Sequence, residues 1–468
     1  MIESQEPRRG TTSAPRARGS VAPRDLVRLT ILFVLAMGPL SGGAVFDPAA
    51  IPLLAVMYLA GLLSWARGHW GRAHGEAIPR FPVLRPVLAL HALVLFQLVP
   101  LPPRLLRWLS PGSFAFREEL ALLPVTSWAP VSVNPAATLR GLLFLAGMTL
   151  FAAAVFREFE EPRWRRRLLG LVVTMGLALS LEALFQAASA EPTKIYGLWK
   201  PAEDWGVFGP YVNRANFAGY LVMAIPLALG FAAQALQDVR RSWSRRRVGW
   251  LALGEAAGSA TLFRSAVAVA VIVGLMASES RGALMAFVLS MAAIPLALRR
   301  RSVAALVLVV AAIGVSWVGL SGFAVAFEAR GIKASRLDLW ADALQIVPHF
   351  PVLGVGLNAF GAAYPRYQTF SKGLWWGELH NEYLQSAVDM GLIGAALAGI
   401  VLTRLYGAAL RGARRGALEA ALLGALLASA FSNVVESNWQ VPGNAATFAA
   451  LAGLALRAGL DVPKLEAP

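Results

Sequence analysis

A histidine, two acids and an asparagine lie together in a five-residue stretch of this chain, directly before a long apolar run. The surrounding segment reads Trp376-Gly377-Glu378-Leu379-His380-Asn381-Glu382-Tyr383-Leu384-Gln385. Ionisable groups are costly near a bilayer and are rarely kept there without a function. An imidazole with an unperturbed pKa of ~6.5 can accept a proton from a hydroxyl. Glu378 and Glu382 could orient His380, or could simply favour the positive end of a helix. A structural histidine at a helix start is the alternative.

Three arginines supply a second kind of chemistry. Arg214 precedes an apolar run, Arg281 lies in a short turn between two such runs, and Arg336 opens an amphipathic stretch. A guanidinium group binds multi-oxygen anions through two parallel hydrogen bonds and stays charged at low dielectric. Together they predict a site for a phosphate or diphosphate group. The alternative is that each reaches the interface or pairs with a nearby acid, Arg281 with Glu279 and Arg336 with Asp338 or Asp342.

The elements that must position these groups are membrane helices. The chain has 468 residues, of which 57% are hydrophobic and 15% are charged, and its mean hydropathy is +0.58. Apolar runs recur near the ~20 residues that cross a bilayer, and in lipid such runs must be helical. The absence of cysteine excludes disulfides and thiol chemistry. These features predict an all-α integral membrane protein.

About twelve spans are expected from the apolar runs. Their approximate bounds are 26–45, 49–66, 83–101, 138–156, 167–188, 215–236, 262–279, 282–299, 302–320, 382–403, 417–433 and 443–460. The division of the chain that we predict is a disordered cytoplasmic tail at 1–24, nine helices in 25–320, a partly helical periplasmic loop domain at 321–381, and the last three helices with a short cytoplasmic tail in 382–468. The first run could also be read as a signal peptide, but the many later spans favour an uncleaved anchor.

The distribution of arginine predicts the orientation. If the N-terminus is cytoplasmic, every loop on that side is basic, as the positive-inside rule requires. The net charge of +16 is then explained by anionic lipid headgroups and needs no nucleic acid. The His380 segment and the three arginines fall on the opposite side. The chemistry-bearing residues are therefore predicted to face outward.

Several ordered motifs carry a resemblance to a known family. They are Asn213-Arg214-Ala215-Asn216, Ser280-Arg281-Gly282-Ala283, Arg336 with Leu339-Trp340, the run from His349 to Phe360, and His380-Asn381-Glu382-Tyr383-Leu384-Gln385. Gly391 follows His380 at the spacing found in ligases of that family. The chain resembles the O-antigen ligase and polymerase superfamily over residues 209–394, whereas residues 1–130 carry almost no signature.

The resemblance implies glycosyl transfer at the periplasmic face of the bacterial inner membrane. The donor would be a glycan on undecaprenyl diphosphate, and the acceptor a hydroxyl of lipid A–core or of another lipid-linked glycan. By this resemblance Arg214 and Arg281 bind the diphosphate and His380 serves the acceptor hydroxyl. Further contacts to substrate are predicted for Arg336, Asn216, Asn381, Glu382 and Tyr383. The family implies an inverting, metal-independent enzyme without a cofactor.

Other readings remain open at this point. A polymerase or a protein O-oligosaccharyltransferase would use the same donor with a different acceptor. A lipid-linked glycan transporter would carry inverted repeats and broken helices with charge at mid-membrane, which the sequence does not reveal. Glu182 and Gln186 lie one turn apart inside a span and are either functional or hydrogen-bonded within the bundle.

Glycines and aromatic residues near the histidine motif are weaker indicators of function. Gly354 and Gly356 are expected to form turns beneath the active loop, because a lone pair of glycines does not indicate a phosphate cradle. Aromatic residues in the same region could stack on sugars or anchor the chain at the membrane interface, and these are Tyr364, Tyr367, Trp375 and Trp376.

The orientation can be tested with reporter fusions. A reporter joined at Arg300 should lie in the cytoplasm and one joined at Lys372 should lie outside, because the basic loops alternate along the chain. Compartment-specific reporter activity measures both positions. Finding both reporters in one compartment would contradict the topology and the site that depends on it.

Overall fold

A computed structural model describes residues 23–74, 79–120, 127–202, 206–246, 256–299, 336–370 and 373–460. Helices dominate these residues, and apart from isolated bridges no strand is found among them. The helices are α1 (Pro23–Leu40), α2 (Asp47–Ala73), α3 (Leu84–Leu98), α4 (Pro103–Leu109), α5 (Pro111–Leu120), α6 (Pro135–Glu158), α7 (Pro162–Ala187), α8 (Arg214–Arg246), α9 (Ala256–Ala277), α10 (Arg281–Ala297), α11 (Arg336–Ile346), α12 (Phe360–Ala363), α13 (Glu382–Ala413), α14 (Ala417–Ser432) and α15 (Pro442–Leu460).

The helices confirm a multi-pass membrane protein. Among the described residues, six helices are long and apolar enough to cross a bilayer, namely α2, α6, α7, α8, α9 and α13. Shorter apolar helices are α3, α10 and α14. Every predicted span except the ninth coincides with a helix, and the ninth, at 302–320, lies outside the described residues. The total of twelve spans therefore stays a prediction.

Helix α8 lies at the centre of the bundle. Within its apolar window 67% of the residues are buried, compared with 22% for its neighbour α9. It packs against α9 and α14, and α14 in turn packs against α10 and α13.

Small residues allow helices α1 and α15 to approach each other closely. A Cβ added to Gly38 of α1 would lie 2.9 Å from the α-carbon of Gly443 in α15, so these two backbones are nearly in contact.

Helix α13 is broken at Gly391, where φ is 65° and ψ is −174°. The sequence did not reveal this break. The segment before α12 replaces the missing helical bonds: Leu392 N–H donates to the Pro351 carbonyl at 2.9 Å, and Gly356 N–H donates to the Asp389 carbonyl at 2.9 Å. Gly354 faces Gly391 with φ of 70°, and a Cβ on either glycine would lie 2.3 Å from a carbonyl oxygen of the opposite segment.

The described part of the predicted outward loop is partly helical. Helices α11 and α12 and two single 3₁₀ turns surround a small apolar core of their own, which includes Leu339, Phe350, Phe360 and Tyr364. Gln97, near the end of α3, ties this region to the bundle: its amide donates to the carbonyls of Leu353 at 2.6 Å and Asp389 at 2.9 Å. The amide of Gln97 thus has a structural role. The periplasmic location of the loop stays a prediction.

The close contact at Gly391 predicts a sharp stability difference between two glycines of α13. Gly391→Ala should lower the unfolding temperature in detergent, because a methyl group would collide with the Val352 carbonyl at a positive φ. Overpacking of this kind costs ~1–3 kcal/mol. Gly399→Ala is the matched control, since nothing lies within 4 Å of the added atom. It should stabilise the helix by ~0.5–1 kcal/mol. Equal unfolding temperatures for the two variants would contradict the close contact at Gly391 and the break of α13 there.

Candidate active site

His380 lies directly before α13 and is held by its neighbours on both sides. The Leu379 N–H donates to Gln385 Oε1 at 2.8 Å, and Trp340 Nε1 donates to the Leu379 carbonyl at 2.9 Å. Asn381 caps α13 by accepting from two backbone N–H groups of its first turn. His380 itself has a φ of 50°, in the left-handed region that non-glycine residues rarely adopt. Such conformations cluster at functional sites, which makes this residue a candidate on structural grounds as well.

Glu436 is the acid nearest to the His380 ring nitrogen. Its Oε2 lies 3.9 Å from His380 Nδ1, and its Oε1 accepts from Arg336 Nη2 at 2.7 Å. The carboxylate is 6% exposed, whereas the His380 and Arg336 side chains keep 29% and 41% exposure. Arg336 also donates to the Val435 carbonyl. One buried acid therefore joins an arginine and a histidine that are 44 residues apart in the sequence.

The structure pairs Arg336 with Glu436, whereas the sequence suggested Asp338 or Asp342. Arg336 donates to the Val435 carbonyl and to Glu436 Oε1, both in the turn between α14 and α15. Asp342 is buried and accepts instead from the Tyr364 hydroxyl at 3.0 Å and from the Thr369 hydroxyl at 2.7 Å. Asp342 therefore stabilises the loop, and the Arg336 guanidinium pairs with Glu436.

Arg214 and Arg281 are connected through the turn between α9 and α10. Arg214 Nη1 pairs with Glu279 Oε2 at 2.9 Å, and Glu279 is the acid that the sequence suggested for Arg281. Arg281 begins α10, and its neighbour Gly282 packs on the α14–α15 turn. A Cβ added to Gly282 would lie 2.7 Å from Val435 Cγ2 and 3.8 Å from Glu436 Oε1.

The α14–α15 turn, residues 433–441, thus contacts two of the predicted site residues directly and lies against the residue next to a third. Arg336 and His380 contact its acid, and Gly282, the residue after Arg281, packs on the side chain of Val435. A network of asparagines extends it to α8: Asn444 donates to the Asn438 side chain at 3.1 Å and to the Asn216 carbonyl at 2.8 Å. Arg336 and His380 are thus joined at this turn, and Arg214 pairs with Glu279 of the neighbouring α9–α10 turn.

The remaining predicted substrate residues have contacts within the protein. Asn381 uses its side chain as the helix cap, and the Asn216 carbonyl belongs to the asparagine network. Tyr383 donates to the Ala430 carbonyl at 2.9 Å, and its ring packs edge-on against Trp439. Glu382 is 8% exposed, and its Oε1 is buried without a hydrogen-bond partner. These contacts position α13 and are compatible with a supporting role.

The titratable groups beside the site have shifted pKa values. Burial, with a smaller contribution from the Arg336 charge, lowers the pKa of His380 to about 4. Burial raises the pKa of Glu378 to about 7, and the nearby Glu436 carboxylate adds to that rise. Burial also raises the pKa of Glu436, which the Arg336 charge opposes. At neutral pH the imidazole is therefore neutral and its two ring nitrogens carry one proton.

The sequence did not indicate Glu436. It is the single acid between residues 433 and 442, and it lies on the side of the membrane assigned to the three arginines. Its negative charge, on the side of the membrane predicted for the three arginines, is the feature of the sequence that could have pointed to it. Glu182, also singled out from the sequence, lies beside the loop that leads to α8: a Cβ on Gly209 would be 3.1 Å from its Oε2.

Comparison with known proteins supports the resemblance drawn from the motifs. Residues 266–399 match the O-antigen ligase family, and this range includes Arg281, Arg336 and His380. The match confirms the predicted resemblance and implies a glycosyltransferase-like membrane enzyme. Arg214 and Glu436 fall outside the matched range. Among individually curated proteins, none matches the chain.

Proposed function

We propose that this chain, which carries an O-antigen ligase domain over residues 266–399, transfers a glycan from undecaprenyl diphosphate to a sugar hydroxyl at the periplasmic face of the inner membrane. The observation that carries this proposal is that Arg336 and His380 contact Glu436 of the α14–α15 turn, while Gly282, next to Arg281, packs on the same turn and Arg214 pairs with Glu279, near Arg281 in the chain. Arginines can stabilise the charge of an anionic leaving group, and a neutral imidazole can accept the proton of a hydroxyl.

The proposed reaction is one displacement. The acceptor oxygen forms a bond to the anomeric carbon of the donor while the bond from that carbon to the diphosphate oxygen breaks, with inversion. Arg214 and Arg281 stabilise the charge that develops on the departing diphosphate. The hydroxyl proton passes to His380 Nε2, because Nδ1 faces Glu436. The Glu436 carboxylate then stabilises the imidazolium.

The low pKa of His380 fits this sequence of events. A base with a pKa of about 4 is weak. Because diphosphate is already a good leaving group, the displacement needs little activation of the acceptor hydroxyl by a base. Part of the depression comes from the Arg336 charge. A bound diphosphate would offset that charge and raise the pKa of His380 when the donor is in place.

The acceptor distinguishes the candidate enzymes. A ligase uses lipid A–core, a polymerase uses a second lipid-linked glycan, and a protein O-oligosaccharyltransferase uses a hydroxyl of a protein. Purified protein should be given the lipid-linked glycan of its host with each acceptor separately, in the presence of a chelator. We expect transfer to lipid A–core that needs no added metal. Movement of the donor across a bilayer without transfer to any acceptor would favour a transporter.

Substitutions separate donor binding from turnover. Arg214→Lys should weaken donor binding, because a point charge cannot replace two parallel hydrogen bonds. His380→Ala should spare donor binding and reduce turnover by ~10²–10⁴-fold. Donor affinity and initial rates measure the two effects. Arg366→Lys is the matched control, since Arg366 pairs with Glu119 of α5 and has no role in the proposed reaction. Near-normal turnover in a folded His380→Ala protein would contradict the mechanism.

The pH dependence identifies the proton acceptor. His380 must be neutral to act, so kcat/KM should be constant at neutral pH and fall only as the pH drops through about 4. The acid limb of kcat should lie at higher pH, because bound diphosphate raises the pKa of His380. An acid limb near pH 7 that disappears in Glu378→Gln would assign the base role to Glu378 instead.

A further inference from the structure

Trp375 is an exposed tryptophan whose ring packs against the protein backbone. Its side chain is 76% exposed, yet its six-membered ring lies against two glycines. A Cβ added to Gly361 would be 2.8 Å from Trp375 Cζ2, and one added to Gly377 would be 2.6 Å from Cη2. Because neither glycine carries a Cβ, the ring packs directly on the backbone while most of its surface faces outward.

The neighbouring residues hold this indole in place. Trp376 is partly buried and packs against Phe370, with ring centroids 5.8 Å apart. Trp376 thus anchors the backbone through its contact with Phe370, while the ring of the preceding Trp375 stays exposed.

The indole lies close to the candidate active site along the chain. Five residue steps separate Trp375 from His380, and a fully extended chain covers at most ~3.3–3.6 Å per residue. The two α-carbons are thus within roughly 18 Å of each other. The intervening Leu379 is fixed by Trp340 and Gln385, so the separation is held by the fold.

We propose that Trp375 is a stacking platform for a sugar ring of the glycan substrate, a subsite that rests on the proposed function. A pyranose has an apolar face of C–H groups, and an aromatic ring offers a flat surface of partial negative charge. Burying such a ring against the indole removes apolar surface from water without needing a charge. The platform orients a sugar remote from the transferred bond.

Loss of the ring should weaken binding and leave chemistry intact. Trp375→Ala should raise KM for the acceptor or donor glycan about tenfold, the equivalent of ~1.4 kcal/mol, with kcat unchanged. Trp375→Phe keeps an aromatic face and should restore most of the affinity. Trp128→Ala is the matched control, because Trp128 is 67% exposed and lies in a different segment.

A binding experiment tests the platform without turnover. Oligosaccharide released by mild acid from the lipid-linked glycan of the host should show saturation transfer from wild-type protein in detergent. The signal should fall in Trp375→Ala and persist in Trp375→Phe and Trp128→Ala. An unchanged signal in Trp375→Ala would overturn the platform, and loss of turnover in His380→Ala would in that case leave the proposed function standing.

The position of the side chain relative to lipid is a second test. The chain has no cysteine, so a nitroxide on Trp375→Cys would be the single label in the protein. In vesicles of phosphatidylethanolamine and phosphatidylglycerol, this label should be relaxed more by a water-soluble metal complex than by oxygen. Preferential relaxation by oxygen would place the side chain in lipid, as an interfacial anchor, and would overturn the platform.

Discussion

The buried carboxylate of Glu436 is the interaction on which the candidate site depends. With 6% exposure it contacts Arg336 at 2.7 Å and approaches His380 to 3.9 Å. Taking a carboxylate out of water costs several kcal/mol unless it is paired, and removal of one partner leaves an uncompensated charge. The α14–α15 turn must therefore stay against α11 and the start of α13. The same acid then serves the chemistry, because it can stabilise a proton on the imidazole that it faces.

The site is formed by helix ends instead of by one loop. Gly282 lets the start of α10 pack on Val435, and Asn444 joins the same turn to the start of α8. Behind His380, the break at Gly391 lets α13 accept hydrogen bonds from the segment before α12. Small residues and asparagines thus bring these helix ends together at the α14–α15 turn.

The sequence predicted what is encoded locally. Apolar runs and the His380 motif indicated the helices and the family, because both depend on residue type and spacing within short segments. The partner of Arg336 and the break at Gly391 depend on distant contacts. Arg336 pairs with an acid 100 residues away, and Gly391 adopts its positive φ only against Val352 and Gly354. A lone glutamate in a turn has no local pattern, so Glu436 emerged only from the fold.

One disulfide tests whether the α9–α10 and α14–α15 turns meet. The Cβ position of Gly282 lies 3.9 Å from that of Val435, within the ~3.5–4.5 Å of a disulfide. Because the chain has no cysteine, Gly282→Cys with Val435→Cys creates the single possible pair. Mild oxidation should close it rapidly, whereas Gly399→Cys with Val435→Cys should keep both thiols free. Free thiols in the first variant, or equal cross-linking in both, would contradict the shared site.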